Sequence, residues 1–433
     1  MAVRLLPVAD KRDLKRFIFL PEQLHKDHAM WMPPLYMDEW DYFDPKKNRA
    51  FGYCDTTMVL AEKNGALVGR VMGIINHRHN EHVGEKTARF ALLESTRDRQ
   101  VVHALLSHVE EWARAKGMTK VIGPFGFNDQ DPEGFQIDGF EHHPTIVTYY
   151  NFPWLIGLIE AEGYGKDTDY VVYKVQAPRE ISELIAKVAQ RVERRGFREV
   201  GLKGKKDVKR YIVPVLRLMN EAYQGIYGYS PLDEQEMHDL AKKYLMFLDV
   251  RFLKIVVKDG EVVAFMVAMP DLSQAFVKSR GRLFPFGWYH LLRGMKRRRF
   301  HQLDLLLAGV KEGFRGKGLD LLMGREMAKS LIAAGVKIID SHHELETNLL
   351  VRGEMERQGG QVYKRYRIFG KRLQPGDRRQ ETGDRRQETG GRGQAENPIG
   401  SHLGLSAVPA PRPFLRRGAL SRRGRRGTGR GTA

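Results

Sequence analysis

Apolar and polar residues follow two different periods along the first 371 residues. Runs of strand length, with alternating or continuous apolar residues, occur at 56–76, 87–95, 119–124, 251–270 and 301–310. Between them, residues 99–117 and 319–335 repeat apolar side chains at helical spacing, and both segments end at a glycine. Asn64-Gly65 and Asp259-Gly260 each separate two strand-like runs, and this dipeptide chemistry predicts tight hairpins.

The order of these predicted elements occurs twice. Each copy has a helix, a hairpin, a strand, a second helix and a further strand, and residues 181–196 form a linking helix between the copies. Asp10 is placed to cap the first helix of the chain. A repeated arrangement of this kind predicts a mixed α/β fold in two domains, 1–177 and 178–371.

Composition narrows the class of protein. Of the 433 residues, 42% are hydrophobic, which is enough for two cores of ordinary size. Cys54 is the only cysteine, so a disulfide framework and a cysteine-rich metal site are excluded. No apolar run approaches the roughly 18 residues that span a bilayer, and the N-terminus lacks the apolar core of a signal peptide. We therefore expect a cytoplasmic protein.

The formal charge of +19 is concentrated in two segments. Residues 371–433 contain 15 Lys and Arg against 5 Asp and Glu, and residues 272–303 contain 8 basic residues and no acid. The remainder of the chain is nearly neutral. Residues 372–433 also contain the heptapeptide GDRRQET twice, followed by Gly-, Pro- and Arg-rich sequence, and this composition predicts disorder. The tail is interpreted as a solvated extension, with an electrostatic tether to RNA or anionic membrane as the alternative.

A glycine-rich loop between a strand and a helix is the most informative motif. Gly313, Gly316 and Gly318 allow the positive φ angles that turn successive backbone N–H groups toward one point, and Arg315 and Lys317 add positive charge. The N-terminus of the following helix adds further N–H donors. This combination is typical of a pyrophosphate site. The loop does not end in Gly-Lys-Ser/Thr, and it does not open a chain of parallel βαβ units.

The loop resembles the acyl-CoA motif of the GCN5-related N-acetyltransferase (GNAT) superfamily. Residues 315–318 follow the family pattern, whereas Asp320 stands where a small residue is usual. The resemblance implies two tandem domains, each with a mixed, mostly antiparallel sheet flanked by helices. It also implies acyl-CoA as the cosubstrate, held by backbone groups of Ala308 and Val310 and by a pyrophosphate loop. The loop residues would be Arg315, Gly316, Lys317, Gly318 and Leu319.

The first copy lacks this loop. Its corresponding segment, residues 95–100, contains no glycine, so we expect that this copy does not bind CoA in the usual way and instead shapes the substrate site.

Polar residues cluster at the predicted strand end 340–348 of the second copy. Direct acyl transfer needs a base for the amine and a proton for the leaving thiolate, and no covalent enzyme nucleophile. Glu346 and Asn348 resemble residues common at this point in long-chain relatives, with Asn348 expected at the cofactor, and His343 and Glu344 are the next candidates for the base. Tyr363 and Tyr366 are candidate acids. His342-His343 lacks a third ligand at suitable spacing, so no metal is expected.

A second polar cluster lies in the first copy, where acidic residues interleave with aromatic ones. Asn128, Asp138 and Glu141 fall within 123–141, and Tyr150 follows shortly after. Acids among aromatic rings suit a cationic head group on an apolar body, and these four residues are predicted to bind substrate. The alternative is an acidic surface loop with its aromatic rings packed beneath.

The basic insert, residues 278–300, combines charge with an apolar helical face. Trp288, Leu291, Leu292 and Met295 recur at helical spacing and are followed directly by Lys and Arg. A basic amphipathic helix with aromatic residues is typical of attachment to an anionic lipid surface. The alternative is a helix that packs on the domain while its basic residues approach the CoA phosphates.

Three segments carry a more detailed resemblance: GRLFPFGW at 281–288, GPFGFND with the following EGF and GF within 123–140, and VYKRYRIFGK at 362–371. With them, residues 1–371 as a whole resemble one tandem branch of the superfamily, the bacterial ceramide synthases. This resemblance implies acyl-CoA-dependent transfer of a long acyl group to a sphingoid-type lipid amine. From the basic insert, we expect a cytoplasmic protein that is peripheral on the inner face of the cytoplasmic membrane. Acetylation of a small amine or a protein lysine is a second hypothesis, and a non-catalytic lipid- or RNA-binding protein is a third. No segment matches a dedicated nucleic-acid-binding fold, which argues against a nucleic-acid partner.

Overall fold

The computed structural model describes residues 2–145, 148 and 150–374. The prediction of a disordered tail falls almost wholly outside the described residues.

The first half of the chain forms a sheet with helices on its faces. Its strands are β1 (Arg4–Pro7), β2 (Cys54–Lys63), β3 (Ala66–Asn76), β4 (Thr87–Ser95), β5 (Lys120–Gly123), β6 (Phe135–Asp138) and β7 (Gly165–Gln176). Its helices are α1 (Lys11–Leu24), α2 (Tyr36–Tyr42), α3 (His77–Val83), α4 (Arg99–Ala115) and α5 (Pro153–Glu160).

The second half repeats the arrangement with an insertion of two short helices. Its strands are β8 (Arg198–Glu199), β9 (Leu253–Lys258), β10 (Glu261–Pro270), β11 (Gln302–Val310), β12 (Ile338–Asp340), β13 (Glu344–Leu345) and β14 (Gln361–Arg372). Its helices are α6 (Glu183–Arg194), α7 (Lys205–Ala222), α8 (Glu234–Phe247), α9 (Ser273–Ser279), α10 (Gly287–Met295), α11 (Leu319–Ala334) and α12 (Leu349–Arg357).

Local signals in the sequence act as predicted. The Asp10 carboxylate accepts a hydrogen bond from the Asp13 N–H at 2.8 Å and caps α1. Asn64 and Gly65 have φ angles of 54° and 76°, so both central residues of the β2–β3 turn are left-handed, as a tight hairpin turn with right-handed strand twist requires. Asp259-Gly260 repeats this geometry between β9 and β10. Both hairpin predictions are confirmed.

The strands form one continuous sheet in the order β1-β2-β3-β4-β5-β14-β7-β12-β11-β10-β9-β8, with β6 beside β14 and β13 beside β7. The pairs β4–β5 and β11–β12 are parallel and are connected by α4 and α11, while the other pairs are antiparallel. This is the mixed, mostly antiparallel sheet that was expected.

The last strand of each half lies beside the other half. β14 is inserted between β5 and β7, with Phe369 opposite Gly123, and β7 pairs with β12, with Gln176 opposite Ile338. The hydrogen-bonded sheet therefore runs across the predicted boundary between 177 and 178, which itself stays a prediction. Any pocket at the centre of the sheet is built from both halves.

β11 separates from its neighbour near its middle. It pairs with β12 only over residues 302–304, and a bulge at Leu306 shifts its register against β10. A bulge bends a strand and increases its twist, so the strands diverge beyond Asp304. The edge of β11 that faces β12 is left open toward the carboxyl end of the strand.

Candidate active site

A cavity of about 220 Å³ lies where β11 diverges from β12. One wall is residues 305–308 of β11, and a second is residues 341–345, which follow β12. The end of α7 forms a third wall, and residues 129–133 of the first half form the fourth. The cavity thus joins the predicted cofactor strand to the acidic segment of the other copy.

The backbone of Ala308 has a hydrogen-bonding partner in the cavity. The Tyr223 hydroxyl donates to the Ala308 carbonyl oxygen at 3.0 Å and accepts from the Ala308 N–H at 3.2 Å. A single side chain therefore satisfies both backbone groups of Ala308, one of the two residues predicted to hold the pantetheine arm. Tyr223 lies just beyond the end of α7 and carried no signal in the sequence, because its contact partner is 85 residues away.

The glycine loop has the backbone conformation that an anion site requires. Gly316 and Gly318 have φ angles of 72° and 84°, and α11 begins at Leu319. A Cβ at Gly316 would meet no atom within 4 Å, so the space beside its backbone is open, whereas a Cβ at Gly318 would lie 3.1 Å from Val192. The Arg315 Nε donates to the Val310 carbonyl at 3.4 Å.

Asp320, the residue that departs from the family pattern, lies in the first turn of α11. Burial raises the pKa of its carboxyl group.

Glu344 is the carboxylate that faces the cavity from the second half. It belongs to the short strand β13, which pairs with β7 so that Glu344 lies opposite Val171. Burial raises the pKa of its carboxyl group to about 8. A carboxyl group of this pKa can exchange a proton near neutral pH, as a general base must.

The His343 and Tyr366 rings pack against each other at a tilt of 51°, with centroids 4.3 Å apart. The His343 Nε2 and the Tyr366 hydroxyl are buried without a hydrogen-bond partner. Burial lowers the pKa of His343 well below its usual range, so the ring is neutral. His343 lines the cavity, whereas Tyr366 lies behind it.

Tyr363, a candidate general acid, is hydrogen-bonded outside the cavity. Its hydroxyl donates to the Asp340 carboxylate, and the Lys364 ammonium lies 3.7 Å from the same carboxylate. Asp340 and Lys364 are fully buried, so Tyr363 belongs to a closed polar network beside the cavity.

Glu346 and Asn348 occupy different environments. The Glu346 carboxylate forms an ion pair with Lys166 of β7 and does not line the cavity. Asn348 lines the cavity and caps α12, since its Oδ1 accepts from the Val351 N–H at 3.3 Å. The structure therefore brings Asn348, His343 and Glu344 together at the cavity and places Glu346 outside it.

The first half contributes an acidic wall, which we define as Asp129, Asp131 and Glu133. Burial raises the pKa of Asp129 to about 7 and that of Glu133 well above its usual range. One carboxylate oxygen of Asp129 and one of Glu133 are buried without a hydrogen-bond partner, and the Tyr170 hydroxyl lies against Glu133. Unpartnered buried polar atoms are costly, and here they line one cavity, which indicates a site for a polar ligand group.

The four residues predicted to bind substrate lie outside this cavity. The Asn128 side chain accepts from the Gln130 N–H at 2.9 Å in a turn, and the Asp138 side chain accepts from the Gly139 N–H at 3.0 Å. Glu141 is exposed beside His142, and the Tyr150 hydroxyl donates to the Phe140 carbonyl at 2.6 Å. Their role in substrate binding stays a prediction. Asp129 and Glu133 belong to the same acidic segment but were not selected as site residues, because the sequence does not distinguish inward-facing from outward-facing acids.

Other chemistries have little support in the part of the chain that the structure describes. No group of three or more His, Cys, Asp or Glu residues there is arranged to hold a metal ion. Cys54 is buried, and burial raises the pKa of its thiol to about 12, so it is not a ready nucleophile. None of the described helices combines the length and the apolar character that crossing a bilayer requires.

Known proteins share this architecture. In sequence comparison, the family model described as "Acetyltransferase (GNAT) family" matches residues 22–130, which lie in the half without the glycine loop. The chain is 30% identical over 380 residues to the bacterial ceramide synthase of Caulobacter vibrioides, covering 85% of this chain and 97% of that protein. It is 28% identical over 376 residues to protein YghO of Escherichia coli, covering 84% and 94%.

Among solved structures, a tandem GNAT protein from the clavulanic acid biosynthesis pathway superposes with a TM-score of 0.50 at 14% identity. The match covers 87% of this chain and 100% of that one. The chain belongs to the GNAT family of N-acyltransferases, in the branch that carries two tandem copies of the fold.

Proposed function

We propose that this protein transfers a long acyl group from acyl-CoA to the amine of a sphingoid-type lipid. The observation that carries the proposal is the cavity in which the open edge of β11 and Glu344 face the acidic wall. The edge of β11 suits binding of the thioester, and Glu344 suits the role of the base. The acidic wall suits a cationic acceptor. The two reactants would therefore enter from different halves of the chain.

The residues of the second half fit acyl-CoA as the cosubstrate. The β11 edge beyond Asp304 is not paired with β12, and a Cβ at Gly316 would meet no atom within 4 Å. Ala308 and Val310 would hold the pantetheine arm through their backbone groups, and residues 315–319 would hold the pyrophosphate through N–H donors and positive charge. When bound, acyl-CoA supplies the activated acyl group.

The catalytic role of the chain is to prepare the amine. A protonated amine at the acidic wall is not nucleophilic, and Glu344 would remove its proton from within the cavity. The hydrophobic surroundings that raise the Glu344 pKa also exclude water, which limits hydrolysis of the thioester.

The basic insert supports a lipid acceptor. α10 occupies the predicted position of the amphipathic helix, but its apolar residues are divided between two environments. Leu291 is buried against the domain, whereas Trp288 and Leu292 are 45% and 41% exposed. Exposed aromatic and aliphatic side chains beside a cluster of Lys and Arg are typical of contact with an anionic membrane surface.

The function is tested by incubating the protein with acyl-CoAs of graded chain length and a sphingoid base, and measuring CoA release and the amide product. We expect product only with long-chain donors. Absence of CoA release with every pair would rule out the lipid proposal. Reaction with acetyl-CoA alone, on a small amine or a protein lysine, would instead support the acetyltransferase hypothesis.

Replacing Asp129 by Asn should weaken binding of the amine. The variant loses a buried charge that would pair with the ammonium group, so we expect KM for the amine to rise roughly 10- to 100-fold. KM for acyl-CoA should change little, because Asp129 lies on the opposite wall from β11. Steady-state kinetics with each substrate varied in turn measures both effects. The exposed Asp138→Asn is the comparison, and a larger effect there would overturn the assignment to the wall.

Replacing Tyr223 by Phe should tighten acyl-CoA binding. The Tyr223 hydroxyl competes for the Ala308 N–H and carbonyl, and its removal frees both groups. We expect Kd for CoA, measured by calorimetry, to fall roughly three- to tenfold. Tyr211→Phe, on α7 but away from the cavity, is the control. Weaker CoA binding in Tyr223→Phe would show that the hydroxyl contacts the cosubstrate and does not compete with it.

A further inference from the structure

A second cavity, of about 640 Å³, lies between α10 and the start of α7. We call it the α10 groove. Its walls are largely aliphatic, and they include Leu35, Leu272, Leu283, Leu291, Leu292 and Met295. This volume falls in the range of sites that take small organic ligands.

The α10 groove is separate from the candidate active site. Lys205, the first residue of α7, lines the groove, while Ala222 and Tyr223 at the other end of α7 line the active-site cavity. An 18-residue helix is about 27 Å long. A cosubstrate on β11 and the glycine loop does not explain this groove, which therefore needs a different occupant.

Exposed hydrophobic side chains surround the groove. Eleven large hydrophobic residues are exposed in the described part of the chain, and five of them lie within residues 284–292. Phe284 and Phe286 are 78% and 73% exposed. Met37, which lines the groove from the first half, is also exposed. Such clustering is unusual on a protein surface and marks a region that contacts an apolar phase or partner.

The basic insert places positive charge along one side of the groove, directly after Asp271. Residues 272–303 include eight basic residues and no acid, and Lys205 and Lys296 line the groove itself. The one acid of the lining, Asp249, is paired with Arg251 at 2.6 Å, so its charge is compensated. An occupant with an anionic head and an apolar body complements this distribution.

Contacts between the two halves fix the segments next to Leu35, Met37 and Leu283 of the groove lining. The Tyr36 N–H donates to the Gly281 carbonyl at 2.9 Å, and Arg282 forms two hydrogen bonds with the Glu22 carboxylate at 2.6 and 2.8 Å. A Cβ at Gly281 would lie 2.1 Å from the Pro34 carbonyl oxygen, so only glycine allows this approach. The walls are preformed, which lowers the entropic cost of binding.

We propose that the α10 groove binds one hydrocarbon chain of an anionic membrane phospholipid, whose phosphate lies between Lys205 and Lys296. A peptide in this groove would leave backbone N–H and carbonyl groups without partners, whereas a hydrocarbon chain has no polar groups to satisfy. Each methylene buried raises affinity by a factor of about four. The inference extends the membrane contact of the proposed function, but it does not require catalysis.

The experiment uses the full chain and monomeric short-chain phosphatidylglycerol, with phosphatidylcholine of equal chain length for comparison. Binding is followed by native mass spectrometry and calorimetry, and binding to vesicles of the two lipids is measured in parallel. We expect one phosphatidylglycerol per chain and at least tenfold weaker binding of phosphatidylcholine. Lys205→Glu with Lys296→Glu should abolish this preference.

Two further variants separate the groove from the exposed rim. Met37→Trp places a large ring at the groove wall and should weaken binding of the monomeric lipid at least tenfold. Phe284→Ser with Phe286→Ser should weaken vesicle binding and leave monomeric lipid binding intact. Unchanged lipid binding in Met37→Trp, or equal affinity for the two lipids, would overturn the proposal. If the proposal is overturned in this way but the protein still binds vesicles or transfers acyl groups, the proposed function stands without the groove.

Discussion

Replacing Glu344 by Gln should lower kcat/KM roughly 10²- to 10⁴-fold, which is the usual effect of removing a general base. Glutamine keeps the size and polarity of the side chain but cannot accept a proton. Steady-state rates of CoA release with a long-chain acyl-CoA and a sphingoid base measure the loss. A melting curve close to that of the unmodified protein would show that the fold is retained.

The pH dependence provides a second measurement of the same residue. Glu344 acts as a base only when it is ionised, and burial raises its pKa to about 8. The kcat/KM of the unmodified protein should therefore rise about tenfold per pH unit below 8 and become level above it. The titration of the amine substrate contributes equally to the pH dependence of kcat/KM in the unmodified protein and in Glu344→Gln. In Glu344→Gln, the step near pH 8 should be lost, and the contributions of the amine and of Asp129, whose pKa burial raises to about 7, should remain.

Glu346→Gln is the matched comparison, because the two carboxylates are two residues apart. Glu346 pairs with Lys166 outside the cavity, so its replacement should affect rate much less than that of Glu344. The opposite ranking, with a collapse of kcat in Glu346→Gln alone, would assign the base to Glu346. That result would require residues 344–346 to rearrange when the substrates bind.

The double variant Arg315→Ala with Gly316→Asp should weaken acyl-CoA binding at least 100-fold. The first substitution removes a positive charge, and the second places a carboxylate where the pyrophosphate is expected, so that like charges repel. Calorimetric titration with CoA measures the loss. If the protein is instead a non-catalytic lipid- or RNA-binding protein, the double variant should bind lipid or RNA as well as the unmodified protein does. That hypothesis would be favoured if, in addition, the unmodified protein did not bind CoA.

Backbone strain in this variant needs its own control. Gly316 has a φ of 72°, so any larger residue is strained there although no atom lies near its Cβ position. Gly65, in the first hairpin, has a φ of 76° and equally open surroundings. Gly65→Asp should reproduce the cost in stability without affecting CoA binding. Equal loss of CoA binding in both variants would show that strain, and not charge, is responsible.

Several features of the fold follow from short stretches of sequence. The two hairpins, the capped helix α1 and the strand–loop–helix unit around Gly316 are each specified within about ten residues. Turn chemistry, helix capping and apolar periodicity act over these distances. The family resemblance rests on the same local unit, which is why the acyltransferase class could be inferred from one short motif and the order of the elements.

The active site depends on longer-range pairing. Glu344 and Glu346 cannot be ranked as candidate bases from their own segment. The difference lies in Lys166 of β7, about 180 residues earlier, which pairs with Glu346 and not with Glu344. Asp129 and Asp138 likewise belong to one acidic segment, and only packing against β11 and α7 directs Asp129 into the cavity. Tyr223 had no signal at all, since its partner is the backbone of a distant strand.

The amino-acid sequence by itself determined that two copies of an acyltransferase fold are present and that one carries the glycine loop. The tertiary structure alone decided that β7 and β14 lie beside the opposite halves and that the cavity is therefore shared. The physical reason is range. Local turns and periodic faces are selected by neighbouring residues, whereas the choice of strand partner and the direction of a buried carboxylate are decided by side chains far away along the chain.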